Sequence, residues 1–199
     1  MSNYSGLLIA FEGIDNAGKT TQIQVVADRL SSQGKRVHIS QEMRTGIGQC
    51  FKTEFEAGKL SPKVKALLFA ADRYYRLETD IIPVLKQGAI VLADRWALSS
   101  LVYRSIEGEG VELAEYINRD VTHPDITFVL DVEPDSAYYR GKKGNRHSPY
   151  SEDFLKLARQ RYLELAEKEN LVVIDGSQPI EQVTNHIIQH LTLVLEKSK

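Results

Sequence analysis

The sequence predicts an α/β fold, a five-stranded parallel sheet flanked by helices in a three-layer arrangement. Short runs that are continuously apolar or β-branched recur at LLIAF (7–11), RVHIS (36–40), AIVLAD (89–94), ITFVLDV (126–132) and LVVID (171–175). This is the texture of strands buried on both faces. Each run is separated from the next by enough chain for at least one helix, which implies right-handed crossovers and parallel strands. The chain has 199 residues, 42% hydrophobic and 26% charged, which suits a single domain spanning 1–199 with a full core.

The helices are punctuated in order. The first follows Lys19 and ends before Gly34, a glycine suited to closing a helix. Ser61-Pro62 reads as an N-cap with proline at the first helical position. That helix runs through KVKALLFAADRYYRL until Pro83 kinks or restarts it. Pro134 and Pro179 sit where two further helices begin. RGKKGNRHSP, residues 140–149, is polar, basic and glycine-containing, the composition of a mobile loop.

Composition excludes several classes. The net charge is −2, so there is no general basic field for nucleic acid or an anionic membrane. Any anion must be held by local arginines and lysines. The only cysteine, Cys50, permits no internal disulfide and fits a reducing cytosol. Nothing around it depresses a thiol pKa, so it reads as a plain thiol. The apolar run Leu7–Phe11 is too short for a signal peptide or a membrane span. A cytoplasmic location follows as the expectation.

The chemistry begins directly after the first strand. Gly13, Gly18, Lys19 and Thr20 satisfy G-x-x-x-x-G-K-[ST], with a buried strand before and a helix after. This is the phosphate-loop NTPase pattern, and Gly13, Ile14, Asp15, Asn16, Ala17, Gly18, Lys19, Thr20 and Thr21 form the expected ATP-binding stretch. Backbone N–H groups of such a loop point at phosphate oxygens. Lys19 supplies a charge to the β and γ phosphates, and the Thr20 hydroxyl is the expected Mg²⁺ ligand. No guanine-reading N-K-x-D occurs. The third strand ends in Asp94-Arg95, not the Asp-Glu common in hydrolytic ATPases. An arginine beside the metal-side Asp94 suits an anionic acceptor better than an activated water. A small-molecule kinase is favoured over a switch or a motor.

The acceptor side is carried by two further stretches. Phe69, Asp72, Arg73 and Arg76 share one helix face. Such a face can stack on a base and bond its edge, although periodicity by itself favours a surface stripe with one core phenylalanine. Asp94, Arg95, Ser99, Ser100, Tyr103 and Arg104 follow the third strand, and ligands of open α/β sheets bind beyond the carboxyl ends of the strands.

FEGIDNAGKTTQ, LLFAADRYY, DRWALSSLVY, the HPD before ITFVLD, and DFLKLARQRYLELA, in that order, resemble the thymidylate kinase family from about Phe11 to Asp175. The resemblance implies a nucleoside monophosphate kinase, a homodimer, passing the γ-phosphoryl group of MgATP to dTMP to give dTDP. It further implies that Asp15 holds the 3′-hydroxyl of the acceptor, that Phe69 stacks on thymine, and that Arg73 contacts the base edge. Arg95 would bind the acceptor phosphate and bridge it to the donor. Asp94 would sit near the Mg²⁺ through water, and Ser99, Ser100 and Tyr103 would line the base and sugar pocket. Residues 140–149 would be the lid, and Gly176-Ser177-Gln178 would lie near the adenine.

The chain also departs from the family pattern. The usual R-E-P-G-G-T is QEMRTGIGQ here, residues 41–49. Glu42 keeps its place, the preceding arginine is Gln41, and Arg44 is the candidate to reach the acceptor phosphate instead. The usual glutamine after the tyrosine is Arg104. Asn16 stands where some members carry a loop arginine, so the missing charge is expected from the lid, from Arg140 or Arg146. Two rival readings stay open on the residues: a deoxynucleoside kinase with Glu42 as base, and a degenerate nucleotide-binding regulator. His186 and His190 have metal-compatible spacing but no third ligand, and read as surface or packing residues. His38 and His123 read as structural.

Overall fold

A computed structural model describes residues 4–108, 110–145 and 148–197. The five strands are β1 (Leu7–Glu12), β2 (Val37–Gln41), β3 (Ile90–Asp94), β4 (Ile126–Asp131) and β5 (Val172–Asp175). They form one all-parallel sheet in the order β2-β3-β1-β4-β5. Every expected strand is present, its ends shifted by at most a residue or so. β1 is central and buried along its whole length. Its alternate side chains serve opposite layers, because successive strand residues point to opposite faces. Ile9 and Phe11 join the core built with α1 (Lys19–Ser32), α8 (Glu152–Lys168) and α9 (Ile180–Lys197). Leu8 and Ala10 pack with Leu77, Ile81, Leu85 and Trp96 on the other face.

The remaining helices are α2 (Gly46–Glu56), α3 (Pro62–Arg76), a single turn α4 (Ile82–Leu85), α5 (Ala97–Glu107), α6 (Val111–Asn118) and α7 (Pro134–Lys143). Ser61 caps α3 by accepting from the Val64 N–H at 3.3 Å, with Pro62 in the first turn. Thr45 and Ser151 cap α2 and α8 in the same way, each cap contributing about 1 kcal/mol.

Pro83 does restart its helix, through a wider turn. Residues Leu77–Ile81 form a π turn in which the Ile82 N–H reaches back to Leu77 O. Proline has no N–H for the carbonyl four residues earlier, and a π turn absorbs that mismatch. The segment expected to be irregular from 140 begins later. Arg140–Lys143 complete α7, and the described non-helical chain around them is residues 144–145 and 148–151. Among the described residues no helix is long and apolar enough to cross a membrane.

Candidate active site

The carboxyl ends of β1, β2 and β3 meet at one cavity of about 590 Å³. The register sets this, since Phe11 and Gln41 both pair with Asp94. After β1 the chain turns at Gly13, which has φ +130°. A Cβ there would lie 2.6 Å from Leu130 O, so no other residue fits. Ile14 and Ala17 turn their side chains into the core, while Asp15, Asn16, Gly18, Lys19, Thr20 and Thr21 border the cavity.

The Lys19 ammonium lies inside the loop, donating to Gly13 O at 3.0 Å and Ile14 O at 2.8 Å. Burial, aided by the Arg95 charge, pushes it down to about 8. Thr20 Oγ1 donates to Asp94 Oδ2 at 2.6 Å, and Gln41 Nε2 reaches the same oxygen at 3.3 Å.

Arg95 stands where β3 ends and adopts φ +66°, a left-handed backbone that costs a non-glycine residue about 1–2 kcal/mol. Four peptide hydrogen bonds hold it, at about 1 kcal/mol each, and so outweigh the strain. Arg95 N donates to Phe11 O at 3.0 Å. Arg95 O accepts from Arg76 Nη2 at 3.2 Å. Trp96 N donates to Glu12 Oε1 at 2.9 Å, and Trp96 O accepts from Arg73 Nη2 at 3.1 Å. The Arg95 guanidinium is thereby aimed inward, donating to Ser99 Oγ at 3.0 Å and Gly13 O at 3.2 Å, and closing an ion pair with Asp15. Burial opposes ionisation of Asp15. The Arg95 and Lys19 charges outweigh it and hold the carboxyl below its ordinary range.

Glu12 went unread in the sequence. It is fully buried, and its carboxylate also accepts from Ser99 N at 3.2 Å. It therefore caps α5 from a neighbouring strand, because Trp96 at the cap position supplies no side-chain acceptor. Burial raises its pKa against those hydrogen bonds. The available signal was a carboxylate closing an otherwise apolar run.

The far wall is aromatic. Phe69 meets Phe55 and Phe51 edge-on at 5.1 and 5.2 Å between ring centroids. Tyr150 packs against Tyr103 at 5.0 Å and stacks on Phe154 at 4.3 Å. Phe69, Tyr103, Ser99 and Ser100 border the cavity, joined by Phe55 and Tyr150, which sequence reasoning missed. Arg104 also borders it, but its charge is answered. Its Nε lies 2.7 Å from Glu107 Oε2, and Lys65 Nζ lies 2.6 Å from Glu107 Oε1.

Other expected residues are placed differently. Arg73 is fully buried behind the wall, donating to Asn118 Oδ1 and to Ser100 Oγ at 2.9 Å. Glu42 borders the cavity 3.5 Å from Arg73 Nη2, and burial raises its pKa despite that charge. Arg44 is exposed and does not border the cavity. Its Nε donates to Gln41 Oε1 at 3.2 Å. Segment 41–49 turns into α2, whose start is held by Asp72, which accepts from Met43 N at 3.1 Å and from Thr45 Oγ1. Gly48 passes so close that a Cβ would sit 2.4 Å from Met43 Cα.

Arg140 lies against the loop, donating to Ala17 O at 3.4 Å and Gly176 O at 3.0 Å. That bond brings Gly176 beside the cradle, while Ser177 and Gln178 cap onto Asp175. Arg146 and His147 lie outside the described residues. His38 contacts Asp80 at 2.7 Å, and the His190 ring lies 6.3 Å from Phe128.

The amino-acid sequence resembles known proteins over most of its length. The sequence model of the thymidylate kinase family matches residues 11–187. A probable thymidylate kinase of Pyrobaculum calidifontis is 38% identical over 92% of this chain and 94% of its own length. One of Archaeoglobus fulgidus is 36% identical over 91% and 92%. A thymidylate kinase of Fervidobacterium nodosum is 34% identical over 92% and 97%.

Proposed function

The chain belongs to the thymidylate kinase family, and from that premise we propose that its cavity carries the γ-phosphoryl group of ATP to the phosphate of dTMP. An acceptor phosphate oxygen forms a bond to the γ phosphorus, the bond to the β–γ bridging oxygen breaks, and dTDP and ADP result. The acceptor oxygen is already ionised near neutral pH, so no general base is needed. Catalysis is positioning and charge stabilisation.

The observation that carries the reading is the meeting of the Lys19–Thr20 cradle with Arg95 and Phe69 around one cavity. Lys19 leaves its loop carbonyls for the β and γ phosphates. Arg95 exchanges Asp15 for the acceptor phosphate, which frees Asp15 for the sugar hydroxyl. Phe69 faces the base, with Ser99, Ser100 and Tyr103 around the base and sugar. Arg140, beside Ala17, and Arg146 are the candidates for the additional positive charge. Gly13 to Thr21 wrap the phosphates of ATP.

Two hard oxygen ligands, the Thr20 hydroxyl and the Asp94 carboxylate, lie 2.6 Å apart at the cradle, a donor set that fits Mg²⁺. Thr20 would bind the ion directly and Asp94 through water. The bound ion neutralises charge on the transferring phosphates.

A homodimer is part of the proposal. Val64, Leu67, Ala71 and Tyr75 of α3 are exposed at offsets 0, 3, 7 and 11, an apolar stripe suited to pairing with a second copy. Light scattering should give twice the chain mass.

The deciding experiment offers dTMP and thymidine separately with MgATP. Formation of dTDP from dTMP is expected. Product from thymidine alone would overturn the reading in favour of Glu42 acting as a base, and ATP binding without transfer would favour a regulator.

A further inference from the structure

One residue on the shared α3 face has no part in the reaction described so far. Arg76 is 1% exposed and does not border the cavity. Its Nε and Nη1 make no hydrogen bond among the described residues, and its Nε lies 3.6 Å from Asp72 Oδ2. Burying a guanidinium with so little compensation is costly. Among the described residues its guanidinium makes one hydrogen bond, Nη2 to Arg95 O at 3.2 Å, and it lies 5.5 Å from the centre of the Trp96 ring. Both contacts fall on the strained corner between β3 and α5.

That corner aims Arg95. At φ +66° the backbone of Arg95 relaxes toward the right-handed region unless its peptide groups are held. Arg76 holds the Arg95 carbonyl, and Arg73, one turn earlier on α3, holds the Trp96 carbonyl. With the turn held, the Arg95 guanidinium reaches Asp15, Ser99 and Gly13.

We propose that Arg76 is a positioning residue for Arg95, its grip on the Arg95 carbonyl fixing the left-handed turn that directs the Arg95 guanidinium into the cavity. The claim rests on the proposed transfer reaction only for its kinetic readout. Its structural content is the orientation of Arg95.

The test is a double-mutant cycle with Arg76→Met and Arg95→Lys, assayed with dTMP and MgATP. Arg76→Met should lower kcat by about tenfold to a hundredfold, with ATP affinity unchanged. In the Arg95→Lys background it should lower kcat by less than about twofold, because the group it positions is gone. An equal loss in both backgrounds would overturn the proposal, since a merely structural role would cost the same with or without Arg95. If Arg76→Met does not fold, Arg76→Leu, which likewise removes the donor to the Arg95 carbonyl, completes the cycle.

The Nε–H resonance of Arg95 in ¹⁵N-arginine spectra, identified by its absence in Arg95→Lys, supplies a readout free of turnover. It should shift and broaden in the Arg76 variant, and an unchanged resonance would overturn the proposal. If wild-type protein transfers nothing to dTMP while this resonance still responds, the reaction assignment fails and the positioning role stands.

Discussion

The Thr20 hydroxyl donates a 2.6 Å hydrogen bond to the Asp94 carboxylate, tying the first turn of α1 to the end of β3. Two oxygens that serve a cation well are here satisfied by each other. A cation entering between them displaces this bond, so removing the hydroxyl loses a ligand. Thr20→Val should raise the Mg²⁺ concentration for half-maximal transfer by about tenfold or more. Titration of the rate with Mg²⁺ checks it, and an unchanged midpoint would remove Thr20 from the metal site.

Lys19 gives the site a pH signature. Burial pushes its ammonium down to about 8 from an ordinary 10.5. Folding therefore favours its neutral form, and the buried charge costs stability below about pH 8. That cost is relieved as pH rises toward 10.5. Lys19→Met should accordingly raise the Tm of the nucleotide-free protein at neutral pH, with the advantage shrinking above about pH 8. The same variant should lose turnover by at least about a hundredfold. Paired melting curves and rates across pH test both.

Asp15 is the hinge of the site. Its carboxylate is engaged by Arg95, by Tyr103 Oη at 3.2 Å and by Ser148 Oγ at 2.6 Å. If Asp15 passes to the sugar 3′-hydroxyl on binding, Asp15→Asn should raise KM for dTMP by about tenfold, and much less for the 3′-deoxy analogue. Equal losses on both acceptors would place Asp15 elsewhere in the mechanism.

What was legible beforehand follows from how local each signal is. The strands announced themselves because both faces are buried, and the cradle because glycines and Lys19 sit within one loop. α2 was silent: Gly46 and Gly48 weaken any helical pattern, and it buries little beyond Gly48 and Phe51. Its start depends on Asp72, which bonds Thr45 across 27 positions. Arg73 and Arg76 looked like ligand-facing cations on a helix face. Only the tertiary fold turns them onto the carbonyls of Trp96 and Arg95. Tyr150 became a wall residue through contacts with Tyr103 and Phe55 that lie far from it in sequence.

The π turn before Pro83 brings Asp80 to His38 at 2.7 Å and to Ser40 at 2.7 Å. The hydrogen bond to Asp80 raises the His38 pKa against the effect of burial. Burial would raise Asp80, but the bonds from His38 and Ser40 bring it down instead. The raised imidazole contributes stability in full below its ordinary 6.5 and loses it as pH climbs through the folded value. The depressed carboxyl contributes above its ordinary 3.8 and loses it as pH falls through the folded value. Asp80→Asn should therefore lower Tm most near about pH 5, by about 2 °C for a half-exposed pair, and least above about pH 8. A pH-independent loss would refute this account.

Arg104 bears on which base is accepted. It borders the cavity on α5 one residue after Tyr103, and Glu107 neutralises it without removing its donors. A guanidinium only donates, whereas a glutamine both donates and accepts. The N3 position of thymine carries a hydrogen, which an arginine cannot receive. Cytosine offers a lone pair there, which an arginine can meet. Arg104 should therefore narrow the gap between dTMP and dCMP, and Arg104→Gln should widen it, raising the dTMP-to-dCMP ratio of kcat/KM by about tenfold. The substitution does not strand Glu107, because Lys65 remains 2.6 Å away, so the variant should stay folded. Steady-state kinetics on both acceptors decide the matter: an unchanged ratio would mean that Arg104 faces the cavity without reading the base.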